Sequence, residues 1–287
     1  MGSALVSGVT GGADIALMAL GLVLVYKTTR TFNFAQGEFG TLGAYVAYAA
    51  LGASLPYWAA IALALLSGAV AGVVVERLVV ARLRRVARVY VLVATAGVAL
   101  AATAIEVLVT KNSPYLLRAP VHGSSFSLAG VTIPKLDILI VACSAGVALV
   151  AWVFFRLTML GAAVLAEADD HLGASTIGLP AGLVSGLMWA VAGLLGALAG
   201  LLLAPQTTIS PGFMTAGGLV YGLTAVVVGG LDSVPGAFVG SLVVGLVQSG
   251  SYYYLGRSVP GVAEIMTLAL LLVVLLARGT LAAEFAG

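Results

Sequence analysis

An all-α polytopic membrane bundle is the fold class that the sequence predicts, and three observations predict it. Of 287 residues, 61% are apolar and only 8% carry a charge, against about 25% charged in soluble domains. Mean hydropathy is +1.15. Apolar runs of about 20 residues, the length a helix needs to cross a bilayer, recur along the whole chain. So few charges could not cover the surface of a water-soluble globule of this size. Disorder, a disulfide scaffold and an ordinary soluble enzyme are excluded together, and the lipid bilayer is the first partner implied.

The segments follow in order. The first apolar run spans 5–26 and lacks any Lys or Arg, so there is no basic n-region and no signal peptide is expected. No charge occurs between Glu38 and Glu76, and Pro56 divides that stretch into segments at 39–52 and 57–75. Further segments lie at 89–109, 136–156, 182–204, 216–230, 235–254 and 260–277. The run at 216–230 is short and Gly-rich, which fits a half-span or re-entrant element as well as a crossing. The expectation is a single transmembrane domain, 1–287, with about 8–9 crossings.

Basic residues orient the bundle. With the N-terminus outside and a crossing at each segment, the inner side holds nine: Lys27, Arg30, Arg77, Arg82, Arg84, Arg85, Arg88, Arg156 and Arg278. The outer side holds four: Lys111, Arg118, Lys135 and Arg257. This satisfies the positive-inside rule. Letting 216–254 cross once exchanges Arg257 for Arg278 and leaves the balance unchanged. The turn-like Gly229-Gly230-Leu231-Asp232-Ser233-Val234-Pro235-Gly236 favours nine crossings. Net charge is only +2 and the arginines serve orientation, so no nucleic-acid partner is expected.

Many glycines fall four apart, as in Gly8/Gly12, Gly68/Gly72, Gly182/Gly186, Gly196/Gly200, Gly218/Gly222 and Gly236/Gly240. In lipid that spacing lets helices approach closely.

Catalytic chemistry is missing from the sequence. The three lysines follow Tyr26, Thr110 and Pro134, so no Gly-Lys-Ser/Thr phosphate loop exists and ATP, if used, is hydrolysed on another chain. Two residues before the Ser-Gly pairs stand Leu5, Leu65, Leu183 and Val247, never the glycine that an intramembrane serine protease motif requires. No His-Glu-x-x-His occurs, and the histidines, His122 and His171, lack partners at metal-ligand spacing. No enzyme, no metal site and no cofactor are expected in this chain.

Few polar residues interrupt the spans. Asp14, Glu106 and Glu264 read as interfacial carboxylates reaching headgroups or water, with a pathway-lining role as the alternative. Almost no ionisable group is expected at mid-span, which disfavours ion-coupled transport. Asn33-Phe34-Ala35-Gln36-Gly37-Glu38 concentrates polar groups where the chain turns back into an apolar region. Such a turn is either a satisfied interfacial bend or a constriction on a transport path. The inner stretch 157–181 contains Glu167, Asp169, Asp170, Ala174, Gly178, Leu179 and Pro180: a helix-favouring start and a Gly-x-Pro stop. It suits a short helix docking on a cytoplasmic partner, or a solvated connector.

Asn33-Phe34-Ala35-Gln36-Gly37-Glu38 with Leu42-Gly43-Ala44-Tyr45, the Asp170…Ala174…Gly178 loop, and Gly229–Ala237 now stand in order. Together with Glu76-Arg77 and Thr95-Ala96-Gly97 they resemble the membrane permeases of branched-chain amino acid ABC importers, in particular the H-type Liv subunit, over essentially the whole chain. The resemblance implies an ABC importer permease fold in a bacterial inner membrane, translocating branched-chain amino acids. It implies as partners an M-type permease forming a heterodimer, two ATPase subunits that bind the ATP and Mg, and an extracytoplasmic binding protein. It assigns 157–181 as the coupling loop, with Glu167, Asp169, Asp170, Ala174, Gly178 and Leu179 meeting the ATPase. Asn33, Gln36, Gly37, Glu38, Asp232 and Pro235 are the candidates for the path or gate. Urea and short-chain amide importers use similar permeases and remain the alternative. A stand-alone channel or secondary transporter is the rival class.

Overall fold

A computed structural model describes the chain except for residues 84–85, 122, 129–130, 160, 163, 165–180, 257–258 and 285–287. The helices are α1 (Gly2–Thr29), α2 (Gln36–Gly52), α3 (Tyr57–Val75), α4 (Arg88–Thr110), α5 (Lys135–Leu157), α6 (Ala181–Leu203), α7 (Val220–Gly229), α8 (Val234–Leu255) and α9 (Val262–Glu284). Each overlaps one predicted segment. Among the described residues six helices, counted with their continuations, are long and apolar enough to cross a membrane, and two shorter ones, Met214–Gly229 and Val262–Ala277, are apolar as well. One element was not anticipated: the loop between α4 and α5 forms a hairpin, β1 (Ser124–Leu128) against β2 (Val131–Pro134), with Phe126 opposite Ile133.

α1 is the central post. Every residue from Ala13 to Val25 is buried, as expected of a helix apolar on all sides. α6 is the second buried helix, whereas α4 and α5 lie at the periphery with few of their residues buried. Ile15, Leu20, Leu22 and Val23 of α1 pack with Leu195 of α6, Val226 of α7 and Val244 of α8.

The glycine pairs draw these helices together. A Cβ on Gly72 would run into the Trp189 carbonyl, and one on Gly68 into that of Gly193, so α3 lies backbone to backbone against α6. Gly40 meets Gly200 in the same manner, and Gly229 meets Gly236 across the α7–α8 turn. In lipid, where apolar side chains gain nothing by leaving solvent, this close contact supplies the packing energy. The Gly182/Gly186 pair makes no such contact: a Cβ on Gly182 would stand in open space, and one on Gly186 would meet only the side-chain ends of Arg77 and Glu76 at 3.6–3.8 Å.

The bundle has two distinct ends. At one, Arg30 pairs with Asp232 at 2.8 Å and Lys27 lies over the Phe155 ring. At the other, Ser249 Oγ donates to the Ala4 carbonyl, Tyr57 Oη donates to the Arg118 carbonyl, and Tyr115 and Ile209 exchange backbone hydrogen bonds. The chain from Ile209 to Gly229 therefore runs from the Tyr115 end to the Arg30 end, with its helical part, Met214–Gly229, starting within the bundle, and α8 runs back. The charge count alone left this reversal open.

Two helices depart from regular winding. α3 continues through a π-helical turn at Glu76–Val80, which buries the Glu76 side chain completely and sets it near Gly186 of α6. α7 is preceded by another π-helical turn, Met214–Leu219. Such insertions re-aim side chains relative to a regular helix.

Candidate functional site

The 27–38 stretch brings four of the six path candidates to one place. α1 ends at Arg30, whose left-handed φ of 52° turns the chain back into the bundle. Asn33 and Gln36 are fully buried. Asn33 Oδ1 accepts from the Ala35 N–H at 3.0 Å, the local turn that Asn favours, and its Nδ2 donates to Gln36 Oε1 at 3.2 Å. Gln36 Nε2 donates to the Ala192 carbonyl of α6 at 2.7 Å. The Phe34 N–H donates to Thr95 Oγ1 of α4 at 3.3 Å. A side chain at Gly21 would collide with the Gln36 amide, so α1 closes the same joint. These bonds satisfy polar groups that would otherwise be stranded in an apolar interior.

One turn further on, two helix starts meet. Gly37, in the first turn of α2, lies against the backbone of Thr215, at the start of the Met214–Gly229 helix. The Met214 N–H donates to Thr41 Oγ1 at 3.4 Å. Two acidic side chains stand here. Glu38, in the first turn of α2, receives the Thr103 hydroxyl at 2.6 Å, and Glu106 Oε2 accepts from the Gly212 N–H at 2.8 Å. Helix N-termini carry partial positive charge, and two brought together repel unless negative charge is placed beside them. Glu38, buried, and Glu106, half-buried, are the acidic groups placed beside them.

Asp232 and Pro235 are elsewhere. They belong to the turn between α7 and α8, at the Arg30 end. Asp232 is more than half exposed in its ion pair with Arg30. Ser233 Oγ caps α8 by accepting from the Gly236 N–H at 3.0 Å, and Pro235 takes one of its first positions, where a missing N–H costs nothing. Lys27, Arg156, Asp232 and Pro235 line a hollow of about 290 Å3 at this end. The coupling-loop candidates Glu167, Asp169, Asp170, Ala174, Gly178 and Leu179 lie outside the described residues.

Sequence reasoning misjudged one acidic residue. Asp14 was expected at an interface in reach of water, and instead it is 6% exposed, halfway along α1. Glu106, half-buried near the end of α4, accepts from the Gly212 N–H, a partner the sequence did not reveal. Glu264 is exposed and receives the Tyr221 hydroxyl at 3.4 Å. Thr103 and Gly212 also belong to the polar framework and carried no sequence signal of their own, whereas Arg30 was read only as an orienting charge. Among the described residues no three His, Cys, Asp or Glu side chains gather where a metal could sit.

Comparison with known proteins places this architecture. Residues 4–276 match the family described as the permease component of branched-chain amino acid transport systems. The high-affinity branched-chain amino acid transport system permease protein BraD of Pseudomonas aeruginosa is 30% identical over 96% of this chain and 93% of its own length. The corresponding LivH protein of Escherichia coli is also 30% identical, over 96% and 92%. A probable LivH permease of Methanocaldococcus jannaschii is 27% identical over 85% and 79%. Among solved structures, a chain of PsaBC from Streptococcus pneumoniae in complex with Fab shares the fold, with a TM-score of 0.50 at 15% identity over 95% of this chain and 90% of that one. An integral membrane bundle, matched along nearly its whole length by transport permeases, the chain belongs to the branched-chain amino acid permease family.

Proposed function

We propose that this chain forms the translocation path for branched-chain amino acids in an ATP-driven importer, together with an M-type second permease. Two separate ATPase subunits bind ATP and Mg and dock on the 157–181 segment, and an extracytoplasmic binding protein delivers the substrate. The observation that carries this reading is the end-to-end relationship, at 30% identity, to permeases of high-affinity branched-chain amino acid transport systems. Its N-terminus lies outside and 157–181 lies in the cytoplasm, the orientation that puts nine of thirteen basic residues inside.

In this reading the Asn33–Glu38 joint and the Asp232–Pro235 turn act as the gate. The joint ties α1, α2, α4 and α6 into one body, and the Arg30–Asp232 pair links that body to the α7–α8 turn. Docked ATPases would shift one against the other and change which end is open.

The test is uptake of labelled leucine, isoleucine, valine and urea into vesicles holding the chain with its permease partner, ATPases and binding protein. Uptake of the branched-chain amino acids that depends on both ATP and the binding protein is expected. Solute accumulation by the chain alone, or urea taken up in their place, would sink the proposal.

A further inference from the structure

Asp14 is a buried acidic side chain that the joint does not use. It stands midway along α1, 6% exposed, and its Oδ1 has no hydrogen-bond partner. Among the described residues no cation pairs with it. A carboxylate at the centre of a membrane helix costs about 2.5–3.5 kcal/mol on insertion scales and, where found, faces a cavity or pathway.

Asp14 does face one. It lines a cleft of about 460 Å3 between α1, the 207–213 connection and the start of the Met214–Gly229 helix. That volume is within the range of small-molecule sites, about 300–1,000 Å3. Among the other lining residues Thr207, Thr208, Ser210 and Tyr221 carry hydroxyls and Gln248 an amide, while Met18 and Phe213 offer apolar surface. No basic residue lines the cleft.

We infer that this cleft holds a zwitterionic amino acid during transport, with Asp14 as counter-charge to the substrate ammonium; the choice of an amino acid rests on the function proposed above. The ammonium replaces the partner that Asp14 Oδ1 lacks inside the protein. The hydroxyls of Thr207, Thr208 and Ser210 suit the substrate carboxylate, and Met18 and Phe213 suit an aliphatic side chain. Urea and neutral amides bring no cation to form an ion pair with Asp14, so they lack the contact by which the cleft favours an amino acid.

Two glycines in the wall make the cleft testable without touching the acid. A Cβ on Gly11 meets nothing within 4 Å, and one on Gly217 has only the edge of Tyr221 at 3.5 Å. A larger residue at either position therefore occupies the cleft without displacing backbone.

In vesicles holding the complete transporter, Asp14→Asn is expected to lower leucine uptake at least about tenfold, the loss of one charge-assisted hydrogen bond. Asp14→Glu should retain more uptake than Asp14→Asn. Gly11→Val should lower uptake comparably by filling the cleft. 4-Methylpentanoate, which is leucine without its amine, should not compete. A second readout needs no transport. With Cys143→Ser as background, Gly217→Cys is treated with an ammonium-bearing and a sulfonate-bearing methanethiosulfonate, each rate normalised to a small free thiol. The cationic reagent should be about tenfold favoured, and adding Asp14→Asn should erase the preference.

Equal thiol rates with and without Asp14→Asn, or full leucine uptake by both Asp14→Asn and Gly11→Val, overturn the inference. So does loss of assembly in Asp14→Asn combined with full uptake by Gly11→Val, which makes Asp14 a structural residue. Wild-type failure to carry leucine, with the cationic preference intact, removes the proposed function and leaves a cation-binding cleft. Leucine uptake without that preference does the reverse.

Discussion

Glu106 on α4 accepts a hydrogen bond from the backbone N–H of Gly212, 106 residues along the chain, at 2.8 Å. The contact fastens a peripheral helix to the turn that starts the Met214–Gly229 helix. Gly212 has a left-handed φ of 68°, and a Cβ there would stand 3.2 Å from Thr103 and 3.5 Å from Glu38 Oε1. Helix start, carboxylates and glycine are thus one arrangement, and each part can be removed separately.

Replacing Gly212 with alanine forces a side chain into the left-handed region and against Thr103. The expected cost is about 1–2 kcal/mol from the backbone alone. Thermal unfolding of the purified protein in detergent measures it, and an unchanged midpoint would show that the turn relaxes freely.

Glu106→Ala leaves the Gly212 N–H without its acceptor in a partly buried position, at a cost of about 1–3 kcal/mol. Glu106→Gln keeps a carbonyl oxygen for that bond. The alanine variant should therefore unfold at a lower temperature than the glutamine variant. The opposite order would show that the Gly212 N–H does not depend on this acceptor.

The Arg30–Asp232 pair is partly open to solvent, with side chains 29% and 57% exposed. Pairs of this kind contribute about 0–1 kcal/mol to stability. Asp232→Asn should consequently leave the unfolding midpoint nearly unchanged while altering the rate of leucine uptake, because the pair joins two bodies proposed to move. The exchange Arg30→Asp with Asp232→Arg should recover part of that rate. If uptake ignores both variants, the pair plays no part in gating.

Gly72→Val drives a branched side chain into the Trp189 carbonyl and should prevent α3 from seating on α6. Gly97 on α4 has open space around its Cβ position, so Gly97→Ala serves as a control. The yield of monodisperse protein after detergent extraction should collapse for the first and hold for the second. Equal yields would contradict the backbone-to-backbone packing.

The proposed docking of the ATPases on 157–181 is tested through Asp170→Ala and Gly178→Leu. Both variants should insert normally into the membrane, as judged by the amount of protein in washed membranes, yet lose most ATP-dependent uptake. Uptake at the wild-type level in both would remove 157–181 from the coupling mechanism.

The helices were legible in the residues themselves, to within a few positions. A span in lipid must satisfy its backbone internally and present about 20 apolar residues, and both requirements are local to the segment. The glycine spacing was readable for the same reason, since residues four apart share one helix face. The joint at Asn33 and Gln36 was half legible: its composition marked it, but its partner at Ala192 is 156 residues from Gln36. The α4–α5 hairpin was hidden in a stretch with no strong alternation of apolar and polar residues.

Asp14 and Glu106 mark where local reading ends. On a list of residues each is a single carboxylate near apolar neighbours, indistinguishable from Glu264, which is exposed. Only the assembled bundle turns Glu106 toward Gly212 and Asp14 into a cleft. The physical reason is that helix formation is governed by neighbours along the chain, whereas the burial and partnering of a side chain depend on which other helix comes to lie beside it.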